Sequence, residues 1–504
     1  MFKNIQKQLL IKYPLLWNTR VVPVSIILIA VNIIFFFIGY VEGKLNFSED
    51  ENNYNYDNDG LIIFFSSFLS ILIIILWLLF YLKNNSFKSF YPKTNFSLLK
   101  EWFIILFISF LTCLFTYSFY YGKETRVRSY YSEKEAKERC EILSKGSFFI
   151  DGSFSNNYRN DEYDEAGIAT VIPDDSNASK NNFIYFNGKK YNYLSLLNKN
   201  VNSYTFFDFE SDSLRKKTIK TWLVNQQKDS IKNLFKSYLK IAKEHNLKAN
   251  IDAYKWFDLI YDHPNFEKYN LIGKNNESEV YYPSNYTNGS VFDSVNKYIV
   301  TIKDQQFEYY KYYVPEAKLH YNYDKIADSW NTPSINFDTL LIILYLAIGL
   351  SLLVFSFRVT SIKNWMVAAV SLGILGILFG IISLIIKWDY TFPTLVIITV
   401  VLAVIYFIYI LSKKKNKSIS GVVVNVVLWS VPGILPLIYF LYIEFLRTLT
   451  YKDNVPYELS EYYPTIKFLR DNSIIFLYLN ILFVLIIMLL LSSKIKKWRG
   501  LAEN

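Results

Sequence analysis

The feature that most constrains this chain is the placement of its long apolar runs. One long polar stretch, from residue 122 to 336, divides these runs into two groups. Each run is near or above the roughly 18–20 residues that a helix needs to cross the hydrocarbon core of a bilayer. The runs are Val21–Tyr40, Leu61–Leu82, Trp102–Tyr121, Leu340–Phe357, Met366–Ile386, Phe392–Leu411, Val422–Phe445 and Ser473–Leu491. The sequence therefore predicts a polytopic all-α membrane protein with about eight transmembrane helices, three before the polar stretch and five after it.

The distribution of positive charge predicts an orientation. If the N-terminus is cytoplasmic and every run crosses once, the inside segments hold eighteen Lys and Arg residues against two acids. These segments are 1–20, 83–101, 358–365, 412–420 and 492–504. Cytoplasmic loops carry such an excess of basic residues. We therefore expect a protein of the plasma (bacterial inner) membrane, with both termini cytoplasmic and residues 122–336 outside. The net charge of +10 then reflects topology and contact with the lipid bilayer, and it predicts no nucleic-acid partner.

The polar stretch has the patterns of a folded domain in water. Ser132, with Glu135 three residues later, is a helix-capping pattern, and Asn187-Gly188 is a hairpin turn between short β-like segments. We expect an α+β extracytoplasmic domain inserted between the third and fourth transmembrane helices. The predicted organisation is a cytoplasmic interfacial helix 1–20, transmembrane helices 21–121, the extracytoplasmic domain 122–336, transmembrane helices 337–491 and a cytoplasmic basic tail 492–504.

Residue types that carry catalysis or bind metals are sparse. The chain has three His and two Cys, none at metal-ligand spacing, and it has no G-x-x-x-x-G-K-[ST] phosphate-binding loop. No ionisable side chain lies near the middle of a run, which argues against a proton relay or an ion-coupled carrier. The sequence therefore predicts no catalytic residue, no cofactor and no metal site, and we expect a protein that is not an enzyme.

The seventh run carries two prolines four residues apart. Proline removes an amide donor and displaces the carbonyl one turn earlier, and interrupted helices form substrate sites in many transporters. We predict a functional helix break here, with a kink that serves only packing as the alternative. The candidate residues are Asn425, Ser430, Pro432, Gly433 and Pro436.

Two further groups of residues within the runs are candidates for contacts between helices. Asn32 and Asn480 are intramembrane amides, which hydrogen-bond across helices; helix–helix contact is the alternative to a functional role. Gly373, Gly376 and Gly380 lie on the fifth run, and the last two form a G-x-x-x-G pair that allows close helix approach. This approach is predicted either within the chain or against a partner.

Two segments near the start of the chain have a recognisable layout. Phe2–Trp17 alternates basic and apolar residues, and Lys83–Glu101 is a short segment between two runs. This layout resembles that of the membrane subunits of ABC exporters, which have an interfacial helix before the first span and a short cytoplasmic segment that docks on the ATPase. The resemblance covers about the first 120 residues. It implies a permease or accessory subunit of a transport system, powered by a separate ATPase. The alternative is a membrane-anchored binding or sensing protein whose extracytoplasmic domain recognises an envelope ligand or a partner.

Overall fold

The computed structural model divides the chain into two compact units. The first, here called the helical unit, comprises Met1–Gly39, Asn58–Tyr121 and Ile335–Asn504, and the second, the mixed unit, comprises Tyr40–Asp57 and Gly122–Ser334. The structure describes residues 8, 11–12, 20–48, 59–83, 96–150, 183–192, 195–199, 201, 204, 209–275, 277–281, 297–302, 305–332, 337–387, 390–413, 418–452 and 463–499. Most of the predicted interfacial helix 1–20, and residues 84–95 of the predicted ATPase-docking segment, lie outside these ranges.

The described secondary structure is predominantly helical. In chain order the helices are α1 (Val21–Glu42), α2 (Asp59–Lys83), α3 (Ser97–Cys113), α4 (Phe115–Arg128), α5 (Glu133–Ser147), α6 (Phe209–Val224), α7 (Lys228–Glu244), α8 (Ala253–Ile260), α9 (Glu316–Asn331), α10 (Phe337–Val359), α11 (Ile362–Ile386), α12 (Thr391–Lys413), α13 (Ser418–Lys452), α14 (Pro464–Asp471) and α15 (Ser473–Arg499). The strands are β1 (Phe183–Phe186), β2 (Lys189–Asn192), β3 (Glu277–Tyr281), β4 (Lys297–Ile302) and β5 (Gln305–Tyr310).

The apolar runs form helices that are long enough to cross a membrane. Seven helices within the described ranges meet the length and composition that a span requires, and the pair α3 and α4 makes an eighth if its two halves form one span. The chain is therefore an integral membrane protein. Helix α10 is the most enclosed of these helices, with 50% of its apolar stretch buried in the protein, whereas 0% of that of α11 is buried.

The third run bends by 43° between α3 and α4, although it contains no proline. Asn32 of α1 lies against this bend. Its Nδ2 donates to the Leu111 carbonyl oxygen at 3.0 Å, and its Oδ1 accepts from Ser118 Oγ at 2.7 Å. A side chain that bonds to the backbone beside a kink stabilises the kink. Asn32 thus makes an interhelical contact, and it lies apart from the residues of α13.

The seventh run forms one helix rather than two. Helix α13 continues through Pro432 and Pro436, so the predicted interruption is wrong. At one of the two prolines α15 supplies a replacement donor: Asn480 Nδ2 donates to the Pro432 carbonyl oxygen at 2.9 Å. This is the carbonyl that Pro436 leaves without its usual amide donor. At the end of the chain, α15 runs to Arg499, so most of the predicted tail 492–504 is helical.

The mixed unit has its own hydrophobic core. Strands β1 and β2 form an antiparallel hairpin, and β3, β5 and β4 form a three-stranded antiparallel sheet in that order. Helix α5 begins after Ser132, whose side chain accepts a hydrogen bond from the Glu135 amide at 3.3 Å. The largest side chains in the core are fully buried: Tyr238, Trp256, Tyr323, Phe148, Phe149 and Phe235. Placement of this unit outside the cell stays a prediction.

Candidate functional site

A row of uncharged polar side chains lies between α10, α13 and α15. We call it the polar seam and define it as Tyr345, Ser356, Thr360, Asn425, Trp429 and Asn480. Its three α10-side members recur at helical spacing and therefore share one face of the helix. From Tyr345 to Thr360 the seam spans about 22 Å along the helix axis at about 1.5 Å per residue. For comparison, the hydrocarbon core of a bilayer is about 30 Å thick.

At one end of the seam, Thr360 joins Asn425. Thr360 Oγ1 lies 3.0 Å from Asn425 Oδ1 and 2.8 Å from the Ser356 carbonyl oxygen. Only one of the two polar atoms of the Asn425 amide faces the Thr360 hydroxyl. Either orientation of the amide therefore leaves its other polar atom without a hydrogen bond. As oriented, Asn425 is fully buried and its Nδ2 has no hydrogen-bond partner among the described residues.

The middle of the seam is formed by indole donors. Trp429 Nε1 donates to Ser356 Oγ at 2.7 Å, and Ser356 Oγ donates to the Leu353 carbonyl oxygen at 2.9 Å. Trp365 of α11 packs edge-to-face on Trp429 with ring centroids 5.6 Å apart. Its own Nε1 also reaches the Leu353 carbonyl, at 3.1 Å. Indole rings thus bring hydrogen-bond donors into an apolar interior.

The other end of the seam is built around the Pro432 carbonyl. Asn480 Nδ2 donates both to this oxygen, at 2.9 Å, and to Tyr345 Oη, at 2.8 Å. Tyr345 Oη in turn donates to the Leu477 carbonyl oxygen at 2.9 Å. Because Nδ2 faces a carbonyl that can only accept, the amide orientation is determined. Asn480 Oδ1 is then buried with no hydrogen-bond partner in the described part of the chain.

A buried ion pair lies near the Thr360 end of the seam. Arg358 Nε is 3.6 Å from Glu101 Oε2, and the two side chains are 5% and 10% exposed. The helices that carry them, α10 and α3, are also joined by Trp102 Nε1, which donates to Ser351 Oγ at 3.0 Å. Charged pairs at this degree of burial are costly to desolvate, and ionisable groups in membrane helices mark functional positions by default.

The polar groups of the seam would reach a solute only if the helices part, because both of its amide side chains are buried. Its groups are amides, hydroxyls, indole N–H groups and a backbone carbonyl, none of which is charged or strongly nucleophilic. Two of its polar atoms, Asn425 Nδ2 and Asn480 Oδ1, have unused hydrogen-bonding capacity. The described residues contain no group of three or more His, Cys, Asp or Glu that could hold a metal ion. The chemistry that the arrangement offers is therefore hydrogen bonding by uncharged groups.

The structure brings together two of the residues that the sequence singled out, Pro432 and Asn480, and places a third, Asn425, at the other end of the seam. Ser430 instead bonds within its own helix, with Oγ donating to the Val427 carbonyl oxygen at 2.9 Å. A β-carbon added at Gly433 would meet no protein atom within 4 Å. A functional role for the proline segment stays a prediction, now connected with the seam.

The small residues of the fifth run make no close helix contact. A β-carbon at Gly373, Gly376 or Gly380 would meet no protein atom within 4 Å. Within the described part of the chain, the predicted packing role of these glycines is therefore absent, and contact with a partner stays a prediction. Close approach occurs instead at Gly39, against the Phe119 backbone carbonyl.

Neither the α10 side of the seam nor the Glu101–Arg358 pair was predicted from the sequence. Amides and charged residues are conspicuous within an apolar run, whereas Tyr345, Ser356 and Thr360 carry hydroxyl groups, which are common there. Their helical spacing is the signal that could have identified them. Comparison of the chain with protein-family models, curated proteins and solved structures returns no match.

Proposed function

We propose that this protein is the membrane subunit of a transport system that works with a separate ATPase, and that the polar seam is the path along which its helices part. The observation that carries the proposal is the row of uncharged polar groups between α10, α13 and α15, with a buried amide atom unmet at each end. A buried polar atom without a partner costs about 1–3 kcal/mol. This cost is removed when the seam opens and water or a polar solute bonds to these atoms.

The energy source in this proposal is a partner protein. The sequence has no nucleotide-binding loop of the G-x-x-x-x-G-K-[ST] type. The Glu101–Arg358 pair supports a coupling route. Glu101 ends the segment Lys83–Glu101, which resembles an ATPase-docking segment, and Arg358 lies on α10, which forms one side of the seam. A movement of that segment would thus act directly on α10.

A second candidate function is favoured by a different observation. The mixed unit has a hydrophobic core of its own, to which α5, α7, α8 and α9 contribute, as a separate recognition domain would need. In this candidate the protein binds an envelope ligand or partner, and the membrane helices serve as an anchor. An anchor does not need a polar seam, and the transport proposal therefore accounts for more of the structure.

The proposal is tested by purifying the tagged protein from its own membranes in mild detergent. We expect an ATPase to co-purify, and we expect Asn425→Leu to lower the ATP turnover of the complex at least twofold. Ser492→Ala is the matched control, because Ser492 is also buried but lies outside the seam, where its Oγ donates to the Leu489 carbonyl oxygen at 3.0 Å. The transport proposal is wrong if no ATPase is recovered and ATP turnover in the membranes is unchanged when the protein is deleted.

A further inference from the structure

The mixed unit carries a row of lysines along one side of α7. Lys228, Lys232, Lys236 and Lys240 follow one another at intervals of four residues. Each step is about 6 Å along the helix axis, so the row is about 18 Å long. Like charges four residues apart on a helix repel and destabilise it. The row of lysines therefore does not stabilise α7.

Aromatic rings hold several ammonium groups of this surface in place. Lys232 Nζ lies 5.7 Å from the ring centroid of Tyr254 and 4.7 Å from that of Phe257. Lys236 Nζ lies 4.9 Å from the Tyr254 centroid, and Lys228 Nζ lies 5.3 Å from that of Tyr261. Attraction between an ammonium group and an aromatic face limits the motion of the lysine. Binding an anion then costs these side chains less conformational entropy.

The same arrangement continues beyond α7. Lys255 and Lys311 lie 5.9 and 5.6 Å from the ring centroid of Tyr312. Together these residues form a surface that we call the lysine–tyrosine face: Lys228, Lys232, Lys236, Lys255, Lys311, Tyr254, Tyr261 and Tyr312. None of its five lysines is within ion-pair distance of an acid in the described residues, whereas Arg139 and Lys137 of α5 each have a glutamate partner.

We propose that the lysine–tyrosine face binds a linear, flexible polymer whose backbone carries phosphate groups at regular intervals. An ammonium group binds phosphate as a compact point charge, and a row of charges at regular intervals matches an extended polyanion better than a flat membrane surface. Nucleic acid is a poorer match, because base stacking needs free aromatic faces, and lysines lie over these rings. This site is separate from the polar seam and does not depend on the transport proposal.

The test uses the full-length protein in nanodiscs made of phosphatidylcholine, a lipid without net charge. The probe is a fluorescently labelled linear poly(glycerol phosphate), and binding is followed by anisotropy over a range of salt concentrations. We expect the K228Q/K232Q/K236Q variant to bind at least tenfold more weakly than the natural chain. Its slope of log affinity against log salt should be smaller in magnitude by about 2, since each lost phosphate contact contributes about 0.7.

The matched control is K217Q/K248Q/K268Q, which removes the same charge from exposed lysines outside the face and should bind within twofold of the natural chain. An equal loss in both triple variants would show that net charge alone attracts the polymer, and would overturn the proposal. It is also overturned if the polymer does not bind, if phosphatidylglycerol vesicles bind more tightly at equal phosphate, or if single-stranded DNA of equal charge binds at least tenfold more tightly.

Discussion

Single side chains decide how the helical unit accommodates polar groups, and Asn480 is the clearest case. Proline at 436 leaves the Pro432 carbonyl without a helical donor, and the Asn480 amide supplies one at 2.9 Å. In hydrocarbon every backbone carbonyl has to be satisfied by protein or by water in a cavity. The side chain from α15 therefore compensates for one of the two prolines in α13, Pro436.

A double-mutant cycle tests this pairing. Asn480→Ala should lower the free energy of unfolding by about 1–3 kcal/mol, because it leaves the Pro432 carbonyl buried and unbonded. Pro436→Ala restores the missing amide, so the same Asn480 change should cost less in that background. Unfolding in detergent micelles is the measurement. Strictly additive effects of the two substitutions would show that Asn480 does not compensate for the proline.

In the mixed unit, His245 is enclosed by aromatic and charged groups. Phe47 stacks on the imidazole with ring centroids 3.5 Å apart. His245 Nε2 lies 2.9 Å from Tyr323 Oη and 3.2 Å from Tyr131 Oη. Burial, and secondly the charge of Arg139, lower the pKa of His245 from 6.5 to about 4. The imidazole is therefore neutral in the folded unit at neutral pH.

This lowered pKa predicts a pH dependence of stability. Between pH 6.5 and 4 the unfolded chain binds a proton at His245 that the folded unit does not, so the free energy of unfolding falls as the pH falls through this range. The negative charge of Glu244 raises the pKa of His245, but it offsets only part of the lowering. His245→Gln should flatten the dependence of the thermal midpoint on pH between 6.5 and 4. If the natural chain and this variant have the same slope, the histidine is not held neutral by its surroundings.

At the scale of elements, the glycines that form the G-x-x-x-G motif are not the glycine at which two helices make close contact. Gly376 and Gly380 form the predicted G-x-x-x-G pair, but nothing approaches them within 4 Å. Gly39 of α1 is fully enclosed, and a β-carbon there would collide with the Phe119 carbonyl oxygen of α4. A glycine pattern indicates which helix face can be approached, but it does not show that a neighbouring helix lies there.

The contrast yields a matched pair of variants. Gly39→Leu should strongly destabilise the helical unit, by more than 3 kcal/mol, because the side chain has to displace backbone atoms rather than a flexible side chain. Gly376→Leu should change stability by about 0.5 kcal/mol or less. Expression level and thermal midpoint in micelles report the difference. Comparable losses at both positions would mean that α11 is packed against something in the assembled protein.

The ion pair between α3 and α10 is a second prediction at this scale. Glu101→Gln removes the charge that faces the buried Arg358 and should lower the free energy of unfolding by about 3–5 kcal/mol. Glu101→Gln with Arg358→Gln should cost less than Glu101→Gln alone. The exposed Lys134–Glu138 pair, with nitrogen and oxygen 3.9 Å apart, is the control, and Glu138→Gln should cost less than about 1 kcal/mol. If the losses of unfolding free energy from Glu101→Gln and Arg358→Gln simply add in the double variant, the two side chains do not form a stabilising pair.

Local patterns were the part of the fold that the sequence predicted best. The cap at Ser132 and the hairpin at Asn187-Gly188 are present, and both hairpin residues have positive φ, 49° and 71°. The turn between α6 and α7 is a feature that local patterns do not predict; it lies at Gln226, where φ is 56°. No proline or glycine marks that turn in the sequence.

The candidate site was predicted only in part for a related reason. Asn425, Pro432 and Asn480 could be found because amides and prolines are rare in apolar runs. Their connection to Ser356 and Thr360 depends on which helices become neighbours. That choice follows from packing of large, similar apolar surfaces, and sequence periodicity does not distinguish one apolar neighbour from another.

At the scale of the whole molecule, the charge pattern and the ion pair agree on one point. Glu101 precedes the third run and Arg358 follows the fourth, and both positions belong to segments that the basic residues assign to the cytoplasmic side. A contact of 3.6 Å requires the two positions to lie at the same depth and the same end of the helical unit. The start of one helix and the end of the next lie at the same end when the two helices cross the membrane in opposite directions. The predicted topology requires such opposite directions for the third and fourth runs.

The most direct test of the central claim asks whether water enters the polar seam. Ser356→Cys places a thiol in the seam, and Ser492→Cys places one at a buried serine that bonds to its own helix in the same way. A membrane-impermeant thiol reagent reacts only with a hydrated thiolate, and peptide mass spectrometry distinguishes both sites from the native Cys113 and Cys140. In native membranes supplied with ATP, we predict modification at 356 at least tenfold faster than at 492. Equal and slow modification at both positions would contradict a seam that opens.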